Sequence, residues 1–120
     1  MMVKRMALIR RKAGTTREEF RRYYETHHAV LARRLFPMFA YYKRNYIHAD
    51  APRLPAGATE APYDVVTEMG FATAADYQAF LEIVSRPEVH AEVRADEARF
   101  LDPSSIFSFT VTETVLPEEH

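Results

Sequence analysis

The chain has 120 residues, of which 48% are hydrophobic and 28% charged, with a formal net charge of −1 at pH 7. This length and balance are typical of one globular domain, residues 1–120, with a modest core. The near-zero net charge argues against nucleic acid and membrane surfaces as partners. The absence of cysteine excludes disulfides and thiolate chemistry, and it fits a location in the cytoplasm.

The first half of the chain is predicted to form a strand, a long helix and a second strand. Residues 3–11 are predicted to form a strand. Their apolar run, residues 6–9, is too short for the apolar segment of a signal peptide. Thr16 and Glu19 form a capping box, which predicts a helix from there to about residue 35. Pro37 ends this helix, and the tyrosine-rich residues 39–48 predict the second strand. The buried stripe of the helix is predicted to be Phe20, Tyr24, Leu31 and Leu35.

The second half is predicted to form a strand, two helices and a last strand. After a proline-rich loop at 49–62, residues 63–71 alternate in polarity as a strand does. Thr73 is expected to cap a helix that reaches about residue 85, and Pro87 fits the first turn of another that ends near residue 101. Residues 106–116 predict the fourth strand, and residues 117–120 are expected to be a loose tail.

This order, βαββαβ with an extra helix before the last strand, predicts an α+β ferredoxin-like fold. Such a fold covers one face of its sheet with helices and leaves the other open. We expect the open face to be mixed in character and to suit a partner subunit. Its expected members are Asp64, Val66, Glu68, Ile106, Ser108 and Thr110.

His27 and His28 are the first candidates for chemistry, because imidazole exchanges protons near neutral pH. With a 100° step per residue, His27 lies about −20° from Phe20, near the centre of the stripe, and His28 about 80° away, on its flank. A flank position can look into a cavity. The alternative is a hydrogen-bonded core histidine beside a surface histidine. Consecutive helical histidines diverge too far to bind one metal ion.

Four acidic residues also need an explanation. Asp96 falls on the buried face of the last helix and therefore needs polar partners, either as a functional group or as a brace for the following loop, whereas Glu97 is offset and expected in solvent. Asp64 and Glu68 share a strand face about 13 Å apart, too far for a carboxylate dyad. They could pair with His28 or, equally, form ion pairs with Lys43 or Arg44.

The second strand carries Tyr41, Tyr42, Asn45 and Tyr46, which could line an aromatic pocket or simply favour strand structure. The three glycines form no phosphate-binding motif, and no serine lies in a nucleophile elbow.

Four segments, in order, resemble the EthD-like family of the dimeric α+β barrel superfamily. These segments are residues 16–31 with His28, residues 42–46, residues 63–71 and residues 96–102. By this resemblance His28, rather than His27, matches the characteristic helix histidine, and Asn45, Asp64, Glu68 and Asp96 match recurrent polar positions. Tyr24 and Val30 depart from the family pattern, in which tryptophan and proline are common.

The resemblance implies a homodimer with a small-molecule substrate, no metal and no organic cofactor. It suggests an oxygenase, decarboxylase, cyclase or isomerase for aromatic, polyketide-like or lactone compounds. We therefore expect His28 to act as general acid/base with Asp96 as its partner, and Tyr24, Asn45, Tyr46, Asp64 and Glu68 to contact substrate. A non-catalytic binding or accessory protein is the alternative, and haem binding, known in the wider superfamily, is a third possibility.

Overall fold

The computed structural model describes residues 2–116, so the expected tail at 117–120 lies outside the described residues. The N-terminal part contains strand β1 (Val3–Ile9), helix α1 (Arg17–Tyr23), a π-helical turn (Tyr24–His28), helix α2 (Ala29–Leu35) and strand β2 (Tyr41–Tyr46). The rest contains β3 (Val65–Phe71), α3 (Ala74–Val84), α4 (Pro87–Glu97), a 3₁₀ turn (Pro103–Ser105) and β4 (Phe107–Val111).

The four strands form one antiparallel sheet in the order β2-β3-β1-β4, which confirms the predicted ferredoxin-like topology. Ala7 of β1 lies opposite Thr67 of β3 and Ser108 of β4 in the register, so these three side chains share the face that the helices cover. The neighbouring residues Met6, Glu68 and Phe109 lie on the open face for the same reason.

Helix caps form where the sequence predicts them. The Thr16 hydroxyl accepts from the Glu19 amide, and the Glu19 carboxylate accepts from the Thr16 amide in return. The Thr73 hydroxyl caps α3 with a single bond, which it accepts from the Asp76 amide. The last long helix is shorter than predicted and ends at Glu97, followed by turns that carry Phe100 into the core.

The core between sheet and helices has two parts. The first cluster surrounds Phe20, Tyr24 and Phe100, and the second surrounds Phe36, Phe71 and Phe80. Tyr42 and Met69 pack against both clusters. No buried residue belongs to α4, whose Val89 and Val93 are only half-buried.

The predicted open face was wrong for four residues. Ile106 and Ser108 face the helices, Thr110 lies opposite Arg5 on that same face, and Asp64 is buried just before β3. The open face of β4 instead carries Phe107, which is 54% exposed, Phe109 and Val111. Alternation places these apolar and polar residues on opposite faces, but it does not say which face the helices cover. Within residues 2–116, no helix combines the length and apolar character that a bilayer crossing requires.

Candidate functional site

His28 lies at the end of the π-helical turn, where the Ala29 amide donates to the Tyr24 carbonyl five residues earlier. This spacing inserts one extra residue into the turn and moves each following residue back by about 100° around the helix. His28 therefore occupies the direction that residue 27 would have in a regular α-helix. It is buried, at 8% exposure, while His27 is exposed.

The predicted orientation of this pair was therefore wrong: His28, and not His27, lies at the centre of the buried stripe. The exposed His27 ring stacks on Tyr23 with 4.4 Å between centroids, and its Nδ1 lies 2.8 Å from the Thr26 hydroxyl. In α2, the buried residues are Ala29 and Ala32, whereas the predicted Leu31 and Leu35 are half-buried, because the π turn rotates this part of the helix as well.

His28 forms a hydrogen bond with Asp96, since its Nδ1 lies 2.9 Å from Asp96 Oδ2. The other carboxylate oxygen, Oδ1, accepts from the Tyr23 hydroxyl at 2.6 Å. Burial and the Asp96 carboxylate raise the pKa of Tyr23, so this phenol stays a donor at neutral pH. The carboxylate thus holds His28 from the outer side of the helix, where it also borders a surface groove with His27 and Arg99.

The other side of the His28 ring lines a cavity of about 190 Å³ between the sheet and the helices. The ring packs 5.0 Å from the Phe100 centroid and edge-on to Tyr24 at 5.5 Å. The cavity walls are mostly apolar and include Ala7, Ile9, Ala32, Phe36, Met69 and Ile106. Because Nδ1 is bonded to Asp96, Nε2 is the ring nitrogen left for a molecule in this cavity.

Three hydroxyl groups form a polar patch on the cavity wall. The Tyr24 hydroxyl lies 2.7 Å from Thr67 Oγ1 and 3.1 Å from the Tyr42 hydroxyl. Burial raises the pKa of both Tyr24 and Tyr42, so both phenols remain neutral hydrogen-bonding groups. Of the predicted substrate-contacting residues, Tyr24 is the one that the structure brings to the His28 cavity.

Tyr46 lies outside this cavity and takes part in an ion-pair network. Its hydroxyl donates to Glu25, which also accepts two bonds from the Arg44 guanidinium, at 2.9 and 2.7 Å. The bonds from Arg44 and Tyr46 lower the pKa of Glu25, while burial and the same carboxylate raise the pKa of Tyr46. This network connects the π turn with β2.

Asn45 and Glu68 lie on the open face of the sheet, away from His28. The Asn45 amide donates to Glu68 at 2.9 Å and to the Val66 carbonyl at 3.0 Å, and Lys4 lies 3.5 Å from Glu68. These contacts connect three neighbouring strands across the face opposite the cavity.

Asp64 is 3% exposed and accepts from the Arg11 amide at 2.8 Å and from the Arg11 guanidinium at 2.6 Å. Arg17 Nε lies 3.5 Å from the same carboxylate. The structure therefore brings His28, Asp96 and Tyr24 together and places Asn45, Tyr46, Asp64 and Glu68 elsewhere. Glu97, expected in solvent, is half-buried at the cavity mouth.

Sequence reasoning missed Arg5, which lines the same cavity as His28. The signal was present, because Arg5 shares strand parity with Ala7 and Ile9, both buried. A charged residue on the core face of a strand is unusual enough to be noted.

Comparison with known proteins supports this architecture. A family model described as the EthD domain matches residues 12–104. An EthD family protein from Bacillus halodurans C-125 is 22% identical, with a TM-score of 0.62, over 95% of this chain and 100% of that one. No curated protein matches the chain.

Two further solved structures share the fold at lower identity. A DABB family protein with a ferredoxin-like fold from Mesorhizobium loti is 16% identical, with a TM-score of 0.55, over 95% of this chain and 98% of that one. A dimeric ferredoxin-like protein of unknown function from Thermobifida fusca is 18% identical, with a TM-score of 0.52, over 94% of this chain and 92% of that one.

Proposed function

The chain belongs to the EthD family, and from this premise we propose that it is an enzyme that moves a proton on a small aromatic or other cyclic compound. In this proposal, His28 Nε2 is the general base and then the general acid. His28 supplies the base and Asp96 the carboxylate that orients it, so the proposed proton transfer uses side chains of the protein alone.

The observation that carries the proposal is the position of His28 between Asp96 and the cavity. A carboxylate that accepts from Nδ1–H orients the ring, leaves the Nε2 lone pair free, and stabilises the imidazolium that forms when Nε2 takes a proton. The apolar walls around the ring exclude water from a bound molecule and strengthen these electrostatic interactions.

The hydroxyl patch of Tyr24, Thr67 and Tyr42 supports the second half of the chemistry. Once a C–H or phenol proton leaves, negative charge develops on a substrate oxygen, and neutral hydroxyl donors can stabilise it. Oxygenation, cyclisation and isomerisation begin with such a stabilised anion, and decarboxylation forms one when CO₂ leaves, which a general acid then protonates. The proposal therefore covers a proton-transfer step common to these reactions.

The two neighbouring histidines give a matched test. We expect His28→Asn, which keeps a donor near the position of Nδ1 but has no base, to lose activity by about 10²- to 10⁴-fold. His27→Asn, a change of the same kind at an exposed position, should retain it. Turnover of candidate phenols, anthrones and lactones by the purified protein is the measurement.

Two results would contradict this proposal: full activity in His28→Asn, or binding of these compounds by the wild type without any turnover. The second result would indicate a binding or accessory protein in which His28 is a polar wall of the cavity.

We also propose that the protein works as a homodimer formed through the open sheet face. The Phe107 and Phe109 rings pack against each other there at a tilt of 42°, with 4.7 Å between centroids, and Phe107 and Val111 are 54% and 38% exposed. An exposed apolar patch of this kind is typical of a subunit interface. The related Thermobifida fusca protein is described as dimeric, which supports the same arrangement.

A further inference from the structure

Arg5 introduces a positive charge into the helix-facing side of the sheet, where its neighbours on the same strand are the buried Ala7 and Ile9. It is half-buried, and it lines the cavity that also contains the His28 ring. A charge at such a position is unfavourable unless partners compensate it. The partners of Arg5 therefore indicate what the cavity is built to hold.

The guanidinium of Arg5 is fixed in place by neutral groups. Its Nε donates to Ser108 Oγ at 2.8 Å, and its Nη1 donates to the Tyr77 hydroxyl at 3.1 Å. The group also packs over the Phe80 ring, 5.6 Å from the centroid. None of the ion pairs formed among residues 2–116 includes Arg5, so these contacts orient the charge without neutralising it.

Three of the five N–H donors of this guanidinium remain available, because Ser108 and Tyr77 use two. The planar fork of an arginine matches the two oxygens of a carboxylate, and such charge-assisted bonds are about twice as strong as neutral ones. A cation that is already oriented and partly desolvated is a favourable site for an anion.

The nearest other charges do not supply this anion. Arg94 and Glu97 lie at the cavity mouth, where Arg94 Nη1 donates to Glu97 at 3.0 Å, and this pair is neutral overall. His90 also borders the mouth and is exposed. Arg5 is therefore the cavity cation without a carboxylate partner in the described part of the chain.

Arg5 and His28 contact different parts of the core. Arg5 packs on Phe80 in the second cluster, whereas His28 packs on Phe100 and Tyr24 in the first. A molecule in the cavity between the clusters can contact both residues at once. The volume, about 190 Å³, suits a single substituted ring, since a cavity of about 150 Å³ binds benzene.

We propose that Arg5 is the anion-binding residue of this cavity and that the ligand is a small cyclic acid. A carboxylate or another acidic oxygen of the ring pairs with the Arg5 guanidinium, which presents the opposite side of the ring to His28. The orientation toward His28 rests on the proposed function, but the binding of the acid does not.

Benzoate and benzamide test this assignment, because they have nearly the same shape and differ in charge. Calorimetric titration of the wild-type protein should show tighter binding of benzoate. Arg5→Gln should weaken benzoate binding by about 10- to 100-fold, as expected for lost charge-assisted hydrogen bonds, and should leave benzamide binding within about threefold. Arg5→Lys, which keeps the charge but not the fork, should fall between these two.

Lys4→Gln is the matched control, because Lys4 is the adjacent cation on the opposite face of β1, paired with Glu68 and Glu113. It should not change benzoate binding. Circular dichroism and amide NMR spectra of each variant check that the fold is intact. Equal affinity of the wild type for the two probes, no binding of either, or an equal loss of both in Arg5→Gln would overturn the proposal.

The outcome is independent of catalysis. If benzoate binding depends on Arg5 while His28→Asn changes no turnover, the anion site stands and the proposed function fails. If His28→Asn abolishes turnover while Arg5→Gln leaves benzoate affinity unchanged, the proposed function stands and the anion site fails.

Discussion

The His28 ring has different neighbours on its two sides. Asp96 of α4 lies on one side, and the cavity lies on the other. Tyr23 donates to the second oxygen of Asp96, so the carboxylate is fixed at both ends. We infer that Asp96 accepts from Nδ1–H and thereby sets the tautomer of the ring. A substitution at Asp96 should therefore change the tautomer of His28, and this change can be measured.

Asp96→Asn should reverse this tautomer. Because the Tyr23 hydroxyl still needs an acceptor, the Asn oxygen turns toward it and the amide NH₂ faces His28 Nδ1, which must then accept. The ring proton moves to Nε2, and the base is lost. We expect a fall in kcat of about 10²- to 10⁴-fold with little change in KM, and ring ¹⁵N shifts typical of the Nε2–H form.

Tyr23→Phe is the control for this experiment, because it removes one hydrogen bond from Asp96 but leaves a carboxylate facing Nδ1. The Nδ1–H form should persist in this variant. Unchanged ¹⁵N shifts in Asp96→Asn would contradict the role given to Asp96.

The site residues differ in how far the sequence could predict them. His28 could be identified through its family motif, and Asp96 through its position on the apolar stripe of the last helix. Helical periodicity alone misassigned the two histidines, because a π turn adds a residue that no composition signal marks. Glu68 was correctly predicted on the open face, but the family resemblance also assigned Asn45 and Glu68 to the substrate, and the cavity lies on the opposite face of the sheet.

At the scale of elements, the network of Glu25, Arg44 and Tyr46 connects the π turn with β2. A π turn is a less regular structure than an α-helix, so contacts that fix its residues also fix the direction of His28 three residues later. Glu25 makes the connection through two bonds from Arg44, and these bonds lower its pKa below the ordinary value of 4.5.

Glu25→Gln should therefore destabilise the protein by about 1 kcal/mol at pH 7, a small value because the carboxylate is partly exposed to solvent. A carboxylate with a lowered folded pKa stabilises the fold above its ordinary pKa and loses this effect as the pH falls through the folded value. The difference between wild type and variant, measured by urea unfolding, should thus be present at pH 7 and should shrink as the pH falls below 4.5, so that it is clearly smaller at pH 3.

The control for this element is Glu18→Gln, which breaks an exposed pair with Arg22 on α1. We expect it to change stability by less than about 0.5 kcal/mol at either pH. A Glu25→Gln effect that is equally large at pH 3 would show that packing, and not charge, connects the π turn with β2.

At the scale of the whole molecule, the order of elements was predictable because each strand and helix carries its own period and end signals, as with the caps at Thr16 and Thr73. The faces of β4 were not predictable. Its apolar residues lie on the open side, although an apolar strand face usually packs against the core of its own subunit. The helices cover one face with their own side chains, and the proposed partner subunit covers the other.

Phe107→Glu tests that proposal. A charge in the proposed apolar interface is buried without a partner, so the dimer should weaken by at least about 2 kcal/mol, or about 30-fold in Kd. Sedimentation velocity over a range of concentrations should show a dimer for wild type and a monomer for the variant. Val30→Glu is the matched control, because Val30 is 59% exposed on α2, outside the sheet, and should leave the dimer intact. A wild-type protein that sediments as a monomer throughout, or a Phe107→Glu variant as dimeric as Val30→Glu, would exclude this face as the interface.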